Sequence, residues 1–400
     1  MARQRLIPKI FAIITSGFLL VPLSVTAAFA DPATLSQDVD VLQNGGVVGV
    51  LAQVNDGGQV TTATAGTAQL GTSQPVPQNA RFRTGSVTKT FVSATLLQLV
   101  GEGKLSLNDT VERWLPGAIT GNGNNGANIT VRQLLNNTSG LFDYANDDGF
   151  FATLDTPAAF YANRYHHYSP QDLITIALSH QPYFAPGAGW AYSNTNYIVA
   201  GEIIKAVTGN TWDVEVTNRI ITPLGLTDTV APGDTPTIAG SHAQGYHIFT
   251  SNPSDRVYSD TTEHNMTWAG AGGALITTAS DENKFFTALL SGQVLAPAQL
   301  AEMKTVVPIS NGVGYGLGIV RQELSCSDTP IWWHNGGTVG YATWAGTTED
   351  GSRSLTLSLS TTTFTDNTYT NATNHHTDTL IRHVFCGSHN TGTDKFQALE

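Results

Sequence analysis

The sequence predicts an α/β (α+β) protein with an antiparallel sheet built from both ends of the chain, flanked by helices, and with an inserted all-helical lobe. Three observations predict this fold. Strand-like runs occur near the amino end and again in the last quarter of the chain. A block of helical periodicity and long loops lies between them, and no repeat or proline-rich linker divides residues 31–386. The expected ligand site is a cleft between the two lobes.

The first 30 residues are typical of a secretory signal peptide. A basic start precedes an apolar stretch, and residues 28–30 (AFA) fit a small-x-small cleavage site. An uncleaved membrane anchor is the weaker alternative, because Gly17 and Pro22 interrupt the apolar run. We therefore expect a secreted, extracellular protein that has no membrane contact after cleavage and whose domain spans residues 31–387.

The charge balance is acidic. The chain has 19 Lys and Arg against 31 Asp and Glu, a net charge of −12. Three of the basic residues and none of the acidic ones fall in the first 30 positions, so the remainder carries −15. This balance disfavours nucleic acid as a partner. Hydrophobic residues make up 40% of the chain and are grouped in periodic runs, which excludes a disordered protein.

The amino-terminal elements are a helix at residues 36–44 and a hairpin in VVGVLAQVNDGGQVTTATAG, with Asp56-Gly57 at its turn. The segment that follows Ser86 is apolar almost all round. It therefore predicts a helix buried in the middle of the domain, ended by glycines at positions 101 and 103.

The predicted helical lobe covers residues 108–290. Thr130 is expected to cap a short helix, with Gln133 completing a capping box. Residues 171–180 and 197–209 have the periodicity of amphipathic helices. The intervening segment GNGNNGAN has the composition of an exposed loop.

Strands return in GYGLGIVRQEL, PIWWHNGG, YATWAGTTED and SRSLTLSLS, followed by a last helix and a polar tail at residues 388–400. Cys326 and Cys386 are the chain's two cysteines. In an exported protein they are expected to pair and to clip the last strands to the last helix, and two free buried thiols are the alternative. Neither has ligands at metal spacing, so no metal is expected.

The first candidate for chemistry is Ser86-Val87-Thr88-Lys89, because the chain has no Gly-x-Ser-x-Gly, His-Glu-x-x-His or P-loop motif. At this spacing Ser86 and Lys89 share one face of a helix. The positive end of the helix dipole and burial both disfavour a charged lysine, so Lys89 would accept the proton of Ser86. The alternative is a serine N-cap followed by a surface lysine.

A second proton carrier is expected in a Tyr-x-Asn motif, which occurs at Tyr144, Tyr161, Tyr192 and Tyr369. The motif alone does not discriminate between the four copies. One of them, in PGAGWAYSNTNYIVAG, follows a Pro-Gly loop and precedes a helix, so context selects Tyr192 together with Asn194. The alternative for Tyr192 is a half-buried aromatic at a loop–helix junction.

The third candidate is His334-Asn335-Gly336, the chain's one His-x-Gly, which follows the apolar PIWW and so continues a strand. The adjacent Gly337 has no side chain. Its N–H can therefore approach a substrate carbonyl as an oxyanion donor beside the N–H of Ser86. The alternative for His334 is a hydrogen-bonded histidine on an edge strand.

With these three motifs in order, the sequence resembles the penicillin-recognising serine hydrolases, which include class C β-lactamases, D-alanyl-D-alanine carboxypeptidases, D-aminopeptidases and related esterases. Tyr-Ser-Asn and His-Asn-Gly as second and third motifs point to the class C-like branch. The resemblance runs from about residue 36 to Cys386 through RFRTGSVTKTF, LLQLVGEGKLSLNDTV, NNTSGLFDY, PGAGWAYSNTNY and GYGLG. It is nearest to exported D-alanyl-D-alanine carboxypeptidases and implies the β-lactamase/transpeptidase-like fold.

The resemblance implies a covalent acyl-enzyme on Ser86, base duty shared by Lys89 and Tyr192, and a His334 that tunes Tyr192. It implies no cofactor, a monomer, and peptidoglycan-type D-amino-acid peptides and β-lactams as ligands. Trp268, in TWAGAGGALITT, is expected to wall the cleft, with a core tryptophan as the alternative. The substrate-binding set is Asn194, which binds the substrate amide, with Trp268, Asn335, Gly336 and Gly337.

Two departures bear on the substrate. Carboxypeptidases of this type have His-Thr-Gly-Thr, where this chain has Asn335 and Gly337 in place of the threonines. They also have a carboxylate-binding arginine on the preceding strand, at the position of Val320. Arg321 is adjacent, but neighbouring residues of a strand face opposite sides. The leading prediction is a D-alanyl-D-alanine carboxypeptidase or related D-amino-acid peptidase. The alternatives are an amide or ester substrate, a class C-type β-lactamase, and a non-catalytic β-lactam- or peptidoglycan-binding protein.

Overall fold

The computed structural model describes residues 31–388 and 392–396, so the predicted signal peptide lies outside the described residues. The described helices are α1 (Pro32–Asn44), α2 (Thr88–Gly101), α3 (Val111–Trp114), α4 (Val131–Leu135), α5 (Asp148–Phe151), α6 (Pro157–Asn163), α7 (Pro170–Leu178), α8 (Asn194–Thr208), α9 (Trp212–Val216), α10 (Thr222–Leu224), α11 (Gly270–Gly273), α12 (Ala279–Leu290), α13 (Pro297–Met303) and α14 (Asn367–Cys386). Within these residues, no helix is long and apolar enough to cross a bilayer.

The described strands are β1 (Gly49–Asp56), β2 (Gln59–Gly66), β3 (Arg81–Arg83), β4 (Thr120–Gly121), β5 (Asn124–Asn125), β6 (Tyr246–Ile248), β7 (Tyr258–Asp260), β8 (Ile276–Thr278), β9 (Val307–Ser310), β10 (Val313–Tyr315), β11 (Val320–Leu324), β12 (Ser327–Thr338), β13 (Tyr341–Thr348), β14 (Arg353–Leu359) and β15 (Thr361–Thr363). Eight of them form the main sheet in the order β2-β1-β14-β13-β12-β11-β10-β9.

The main sheet joins the two ends of the chain, as the sequence predicts. Its neighbouring strands are antiparallel, and β1 pairs with β14 in a register that places Val50 opposite Leu359. The β1–β2 turn differs in detail from the prediction. Asp56 still pairs with Gln59, and the turn residues are Gly57 and Gly58, with φ of +59° and +93°. Positive φ at both central positions is typical of a type I′ hairpin turn, which glycine adopts without strain.

Helices cover the main sheet and create two cores. Helices α1 and α14 pack together, and their apolar residues share a core with Trp333, Trp344 and Leu357 of the sheet. In the second core α2 is buried almost completely, and its Phe91 stacks on Phe285 of α12 with ring centroids 3.6 Å apart. The buried helix that follows Ser86 is therefore confirmed, and it fixes the position of the turn that carries this serine.

The helical lobe is narrower than residues 108–290. Helices dominate from Val111 to Leu224, whereas the described chain between 225 and 278 contains β6, β7, β8, the four-residue helix α11 and long loops. Helix α12 packs on the main sheet, because Asn283 donates to the carbonyl of Gln53 at 2.9 Å and accepts from Thr356 at 3.0 Å. The polar side of α12 is therefore bonded to the sheet, while its Phe285 faces α2.

Two local predictions have different outcomes. Thr130 caps α4 and forms the full capping box with Gln133, as predicted. The predicted exposed loop at residues 121–128 is more ordered than expected, because Gly121 pairs with Asn124 in a short ladder.

The carboxyl end is held against the sheet at two points. A disulfide joins Cys326 to Cys386, with Cα atoms 5.7 Å apart, as the sequence predicts. Residues 392–396, expected to belong to a polar tail, instead pack on the domain. The carbonyl of Lys395 accepts from Gln322 at 2.9 Å, and Phe396 is buried. One aromatic residue among polar neighbours is enough to anchor this segment, because it buries a large apolar area.

Candidate active site

Ser86 lies in the middle of a 3₁₀ turn, Gly85–Val87, that runs directly into α2. Helix α2 begins at Thr88, and no side chain caps it, so Ser86 is not its N-cap. Gly85 has φ of +57°, and a Cβ there would lie 2.7 Å from the backbone nitrogen of Gly337. The turn therefore needs glycine for both its conformation and its close approach to β12.

Lys89 is fully buried and is the centre of the site. Its Nζ lies 2.7 Å from each of three oxygens, namely Ser86 Oγ, Asn194 Oδ1 and the carbonyl of Gly272. Three acceptors match the three N–H donors of an ammonium group. The surface-lysine alternative is therefore excluded. Gly272 is a partner that the sequence analysis did not identify.

Asn194 is the first residue of α8, and both ends of its side-chain amide are engaged. Its Oδ1 accepts from Lys89, and its Nδ2 donates to Asp143 Oδ2 at 3.0 Å. Asp143 is 4% exposed, and its other oxygen accepts from the backbone of Ala145. These contacts fix which way the amide faces. Asp143 belongs to the segment NNTSGLFDY, and no local sequence pattern links it to Asn194.

Tyr192 joins the same cluster, since the Nζ of Lys89 lies 4.8 Å from the centroid of its ring. It is half-buried and lies two residues before Asn194, the first residue of α8. Of the other Tyr-x-Asn copies, Tyr161 is 42% exposed and Tyr369 lies in α14. Tyr144 is buried and donates to the carbonyl of Trp268 at 2.6 Å. Context therefore selected the copy that the structure places beside Lys89.

His334 is fully buried on β12. Its Nδ1 lies 2.6 Å from the carbonyl of Asn335, so Nδ1 carries the proton, and Nε2 accepts from Tyr315 Oη at 3.0 Å. Burial, with a smaller effect of the Lys89 charge, lowers the pKa of His334 to about 3, so the ring is neutral at neutral pH. The ring centroids of His334 and Tyr192 are 6.4 Å apart. Tyr315, in the quoted GYGLG, is a partner that the sequence did not assign.

Strand β12 passes directly over the Ser86 turn. A Cβ on Gly336 would lie 2.1 Å from the carbonyl oxygen of Thr84 and 2.6 Å from the nitrogen of Ser86. This contact places the backbone of Gly337 beside that of Ser86, where two N–H groups can bind one oxyanion. A side chain at position 336 would separate the two segments.

Asn335 and Trp268 are placed differently from the rest of the predicted set. Asn335 pairs with Trp344 and lines a cavity of about 170 Å³ between β12 and α14. Its side chain points away from that of His334, because neighbouring residues of a strand alternate. The half-buried Trp268 has its ring 6.2 Å from that of Phe150. A direct contact of either side chain with substrate stays a prediction.

The described residues contain no cluster of three or more His, Cys, Asp or Glu side chains that would hold a metal ion. The groups that the geometry of the site brings together are a buried serine hydroxyl, a lysine side chain, a phenol and backbone N–H groups. That combination suits nucleophilic attack on a carbonyl.

A family model described as Beta-lactamase matches residues 33–382. The chain therefore belongs to the beta-lactamase family and has the class C-like serine hydrolase fold.

Two solved structures are similar over nearly their whole length. A D-stereospecific amidohydrolase from Streptomyces sp. is 39% identical with a TM-score of 0.81, over 89% of this chain and 99% of that one. The D-amino acid amidase from Ochrobactrum anthropi SV3 is 27% identical with a TM-score of 0.74, over 88% and 97%. A curated penicillin-binding protein of Bacillus subtilis is 29% identical over 289 residues, which are 70% of this chain and 60% of that protein.

Proposed function

We propose that the protein hydrolyses amide bonds at the carbonyl of a D-amino acid, through a covalent acyl-enzyme on Ser86. D-amino-acid amides and short D-amino-acid peptides are the substrate class. The observation that carries the proposal is the contact of Lys89 Nζ with both Ser86 Oγ and Asn194 Oδ1, each at 2.7 Å. The similarity to a D-stereospecific amidohydrolase over 89% of the chain supports the choice of substrate.

In the acylation step, Ser86 Oγ bonds to the substrate carbonyl carbon and its proton passes to the Lys89–Tyr192 pair. The carbonyl oxygen takes the negative charge and accepts from the N–H groups of Ser86 and Gly337. Tyr192 then gives the proton to the departing nitrogen, and the C–N bond breaks. Ammonia or an amine leaves, and the acyl group stays on Ser86.

In the deacylation step, a water molecule gives a proton to the same pair, and its oxygen bonds to the acyl carbon. The ester bond to Ser86 breaks, Oγ regains its proton and the free acid leaves. The ammonium of Lys89 stabilises a phenolate on Tyr192 in both steps, because its Nζ lies 4.8 Å from the centre of the Tyr192 ring. The neutral His334 accepts a hydrogen bond from Tyr315, whose ring lies 6.5 Å from that of Tyr192.

The residues at positions 320 and 321 favour an amide over a free C-terminal carboxylate. Val320 is fully buried opposite Trp333 in the sheet. The guanidinium of Arg321 pairs with Glu323 at 3.0 Å. Neither position supplies a cation that would pair with a substrate carboxylate. An uncharged amide therefore loses less hydration free energy than a carboxylate does on entering the site.

The D-alanyl-D-alanine carboxypeptidase predicted from the sequence is the second candidate, and the penicillin-binding relative favours it. An esterase is favoured by Esterase EstB of Burkholderia gladioli, which is 30% identical over 52% of this chain and 54% of that protein. Export after signal cleavage, action on peptidoglycan-type peptides and a monomeric state are part of the same proposal. The basic and apolar start of the chain supports the first of these.

A hydrolysis panel tests the proposal. It compares D- and L-phenylalanine amide, a peptide that ends in D-Ala-D-Ala, the C-terminal amide of that peptide, p-nitrophenyl acetate and a cephalosporin. We expect kcat/KM for the D-amide to exceed that for its enantiomer and for the free-carboxylate peptide by about tenfold or more. A free-carboxylate peptide as the best substrate would establish the carboxypeptidase instead. No turnover and no acylation by any compound would favour a non-catalytic binding protein.

A further inference from the structure

A carboxyl group that the proposed reaction does not use lies next to the nucleophile turn, the 3₁₀ turn Gly85–Val87 that carries Ser86. Glu282 of α12 is fully buried, and its Oε1 is hydrogen-bonded to the hydroxyl of Thr84, two residues before Ser86. Its Oε2 has no hydrogen-bond partner among the described residues. An acidic side chain is almost never buried in this way without a cation, so Glu282 calls for an explanation.

Thr84 lies between Glu282 and strand β12, which carries the proposed oxyanion donor Gly337. Its backbone N–H donates to the carbonyl of Leu275 at 3.0 Å. Its own carbonyl oxygen lies so close to Gly336 that a Cβ there would be 2.1 Å away. Thr84 is therefore fixed on one side by the carboxyl of α12 and on the other by β12. Any shift of Thr84 moves Ser86 relative to Gly337.

The surroundings of Glu282 favour a neutral acid. Burial, with a smaller effect of Asp281, raises the pKa of Glu282 to about 8. Asp281 itself is held by the N–H of Asp228 and the hydroxyl of Thr229. Arg83, on β3, directs its Nη2 to carbonyl oxygens that include those of Pro236 and Thr262 and makes no ion pair with Glu282.

The strands packed on α12 bring no compensating cation to Glu282. The titratable groups of β1 and β14 are Asp56 and Arg353, which pair with each other at the end of these strands. The titratable residue of β13 is Tyr341, whose hydroxyl donates to the carbonyl of Ala243. Strand β8 has none.

We propose that Glu282 is a positioning residue of the active site. It is a buried carboxylic acid that holds the Thr84–Ser86 turn against β12 and remains neutral, so that no negative charge stands behind the oxyanion. This inference rests on the proposed acyl-enzyme function. Loss of the proton would place a carboxylate next to the turn that must stabilise the oxyanion, and acylation would slow.

The test measures acylation of Ser86 as the burst of p-nitrophenol from an activated ester, between about pH 6 and pH 10, in wild type and Glu282→Gln. Glutamine keeps the shape and the acceptor for Thr84 but does not titrate. We expect equal rates within about twofold near pH 6. One pH unit above its pKa, a carboxyl is about nine-tenths ionised, so at about pH 9 the variant should retain roughly tenfold more of its rate than wild type does.

Two further variants separate positioning from stability. Thr84→Val removes the hydroxyl at constant shape and should lower kcat with little change in KM. Glu302→Gln, an ion-pair residue of α13 remote from the site, should keep the wild-type pH profile. If Glu282→Gln fails to fold, infrared spectroscopy of wild type takes its place, since a neutral Glu282 gives a protonated-carboxyl band at pH 7 that disappears at about pH 10.

The outcomes distinguish this inference from the proposed function. A burst in wild type with the same alkaline decline in Glu282→Gln overturns the role of Glu282 and leaves the acyl-enzyme standing. Absence of a protonated-carboxyl band at pH 7 also overturns it. No burst in wild type with any activated ester overturns the acyl-enzyme, and the inference with it.

Discussion

Lys89 decides the chemistry at the scale of single residues. Its Nζ has three oxygen partners at 2.7 Å in a fully buried position. Such a group is costly to bury unless all its donors are used. The contacts of Lys89 therefore both stabilise the site and determine where the Ser86 proton can go.

Replacing Lys89 tests that dual role. We expect Lys89→Met to lower kcat for ester or amide hydrolysis by on the order of a thousandfold or more, because the cation that supports the Tyr192 phenolate and the orientation of Asn194 are lost together. The matched control is Lys104→Met, at an exposed lysine paired with Glu102, which should leave kcat unchanged. Comparable rates for the two variants would remove Lys89 from the mechanism.

Gly336 tests the contact between β12 and the nucleophile turn. In Gly336→Ala a Cβ would lie 2.6 Å from the nitrogen of Ser86, so we expect loss of acylation and a lower melting temperature. Gly272→Ala is the control for stability, because its Cβ would meet its nearest atoms at 3.6 Å, an ordinary contact. Thermal unfolding of both variants checks this. Equal melting temperatures would mean that the turn and the strand are less tightly packed than the structure indicates.

The sequence identified residues that belong to ordered motifs. Ser86, Lys89, Tyr192, Asn194 and His334 are brought to one site from segments far apart in the chain. Residues outside such motifs were not predictable.

Tyr315, Asp143 and Glu282 act through contacts with His334, Asn194 and Thr84, and no local pattern specifies these pairs. Asn335 belongs to a motif, yet strand alternation turns its side chain toward α14 and away from that of His334.

At the scale of elements, the disulfide links the β11–β12 hairpin to the end of α14 across 60 residues of chain. In the chain-entropy account, a closed loop of this size stabilises the fold by about 4 kcal/mol. We expect the double variant Cys326→Ser, Cys386→Ser to lose about that much free energy of unfolding, measured with urea under non-reducing conditions. The two serines should leave KM unchanged, because neither position touches the site. A loss below about 1 kcal/mol would contradict the account.

Periodicity predicted the elements better than their boundaries. Alternation and turn residues were sufficient for the β1–β2 hairpin, and an all-round apolar segment for the buried α2. The limits of the helical lobe were not predictable, because α12 has the same periodicity whether it packs in the lobe or on the sheet. Its assignment depends on long-range contacts such as that of Asn283 with Gln53.

At the scale of the whole molecule, buried neutral histidines link stability to pH. Burial lowers the pKa of His247 and of His334 to about 3, and that of His264 well below its usual value. As pH falls from about 6.5 toward 3, the unfolded chain takes up protons that these folded groups refuse, so the folded state loses stability.

We therefore expect the free energy of unfolding to fall by several kcal/mol between about pH 6.5 and pH 4, because the three histidines outweigh Glu282, whose raised pKa acts in the opposite direction. His247 is remote from the catalytic motifs. In His247→Gln the decline should be shallower, because the unfolded chain of the variant takes up one proton fewer. Urea unfolding at three or four pH values measures both slopes. Identical slopes would show that His247 is not held neutral.

The acyl-enzyme on Ser86 is the central claim, and intact-protein mass spectrometry tests it most directly. Wild type and Ser86→Ala are mixed with an activated ester of a D-amino acid and quenched in acid within seconds, and the modified peptide is sequenced. The account predicts a mass increase of one D-aminoacyl group in wild type, located at Ser86, and none in the variant. An adduct on another residue, or an equal adduct in Ser86→Ala, would contradict it.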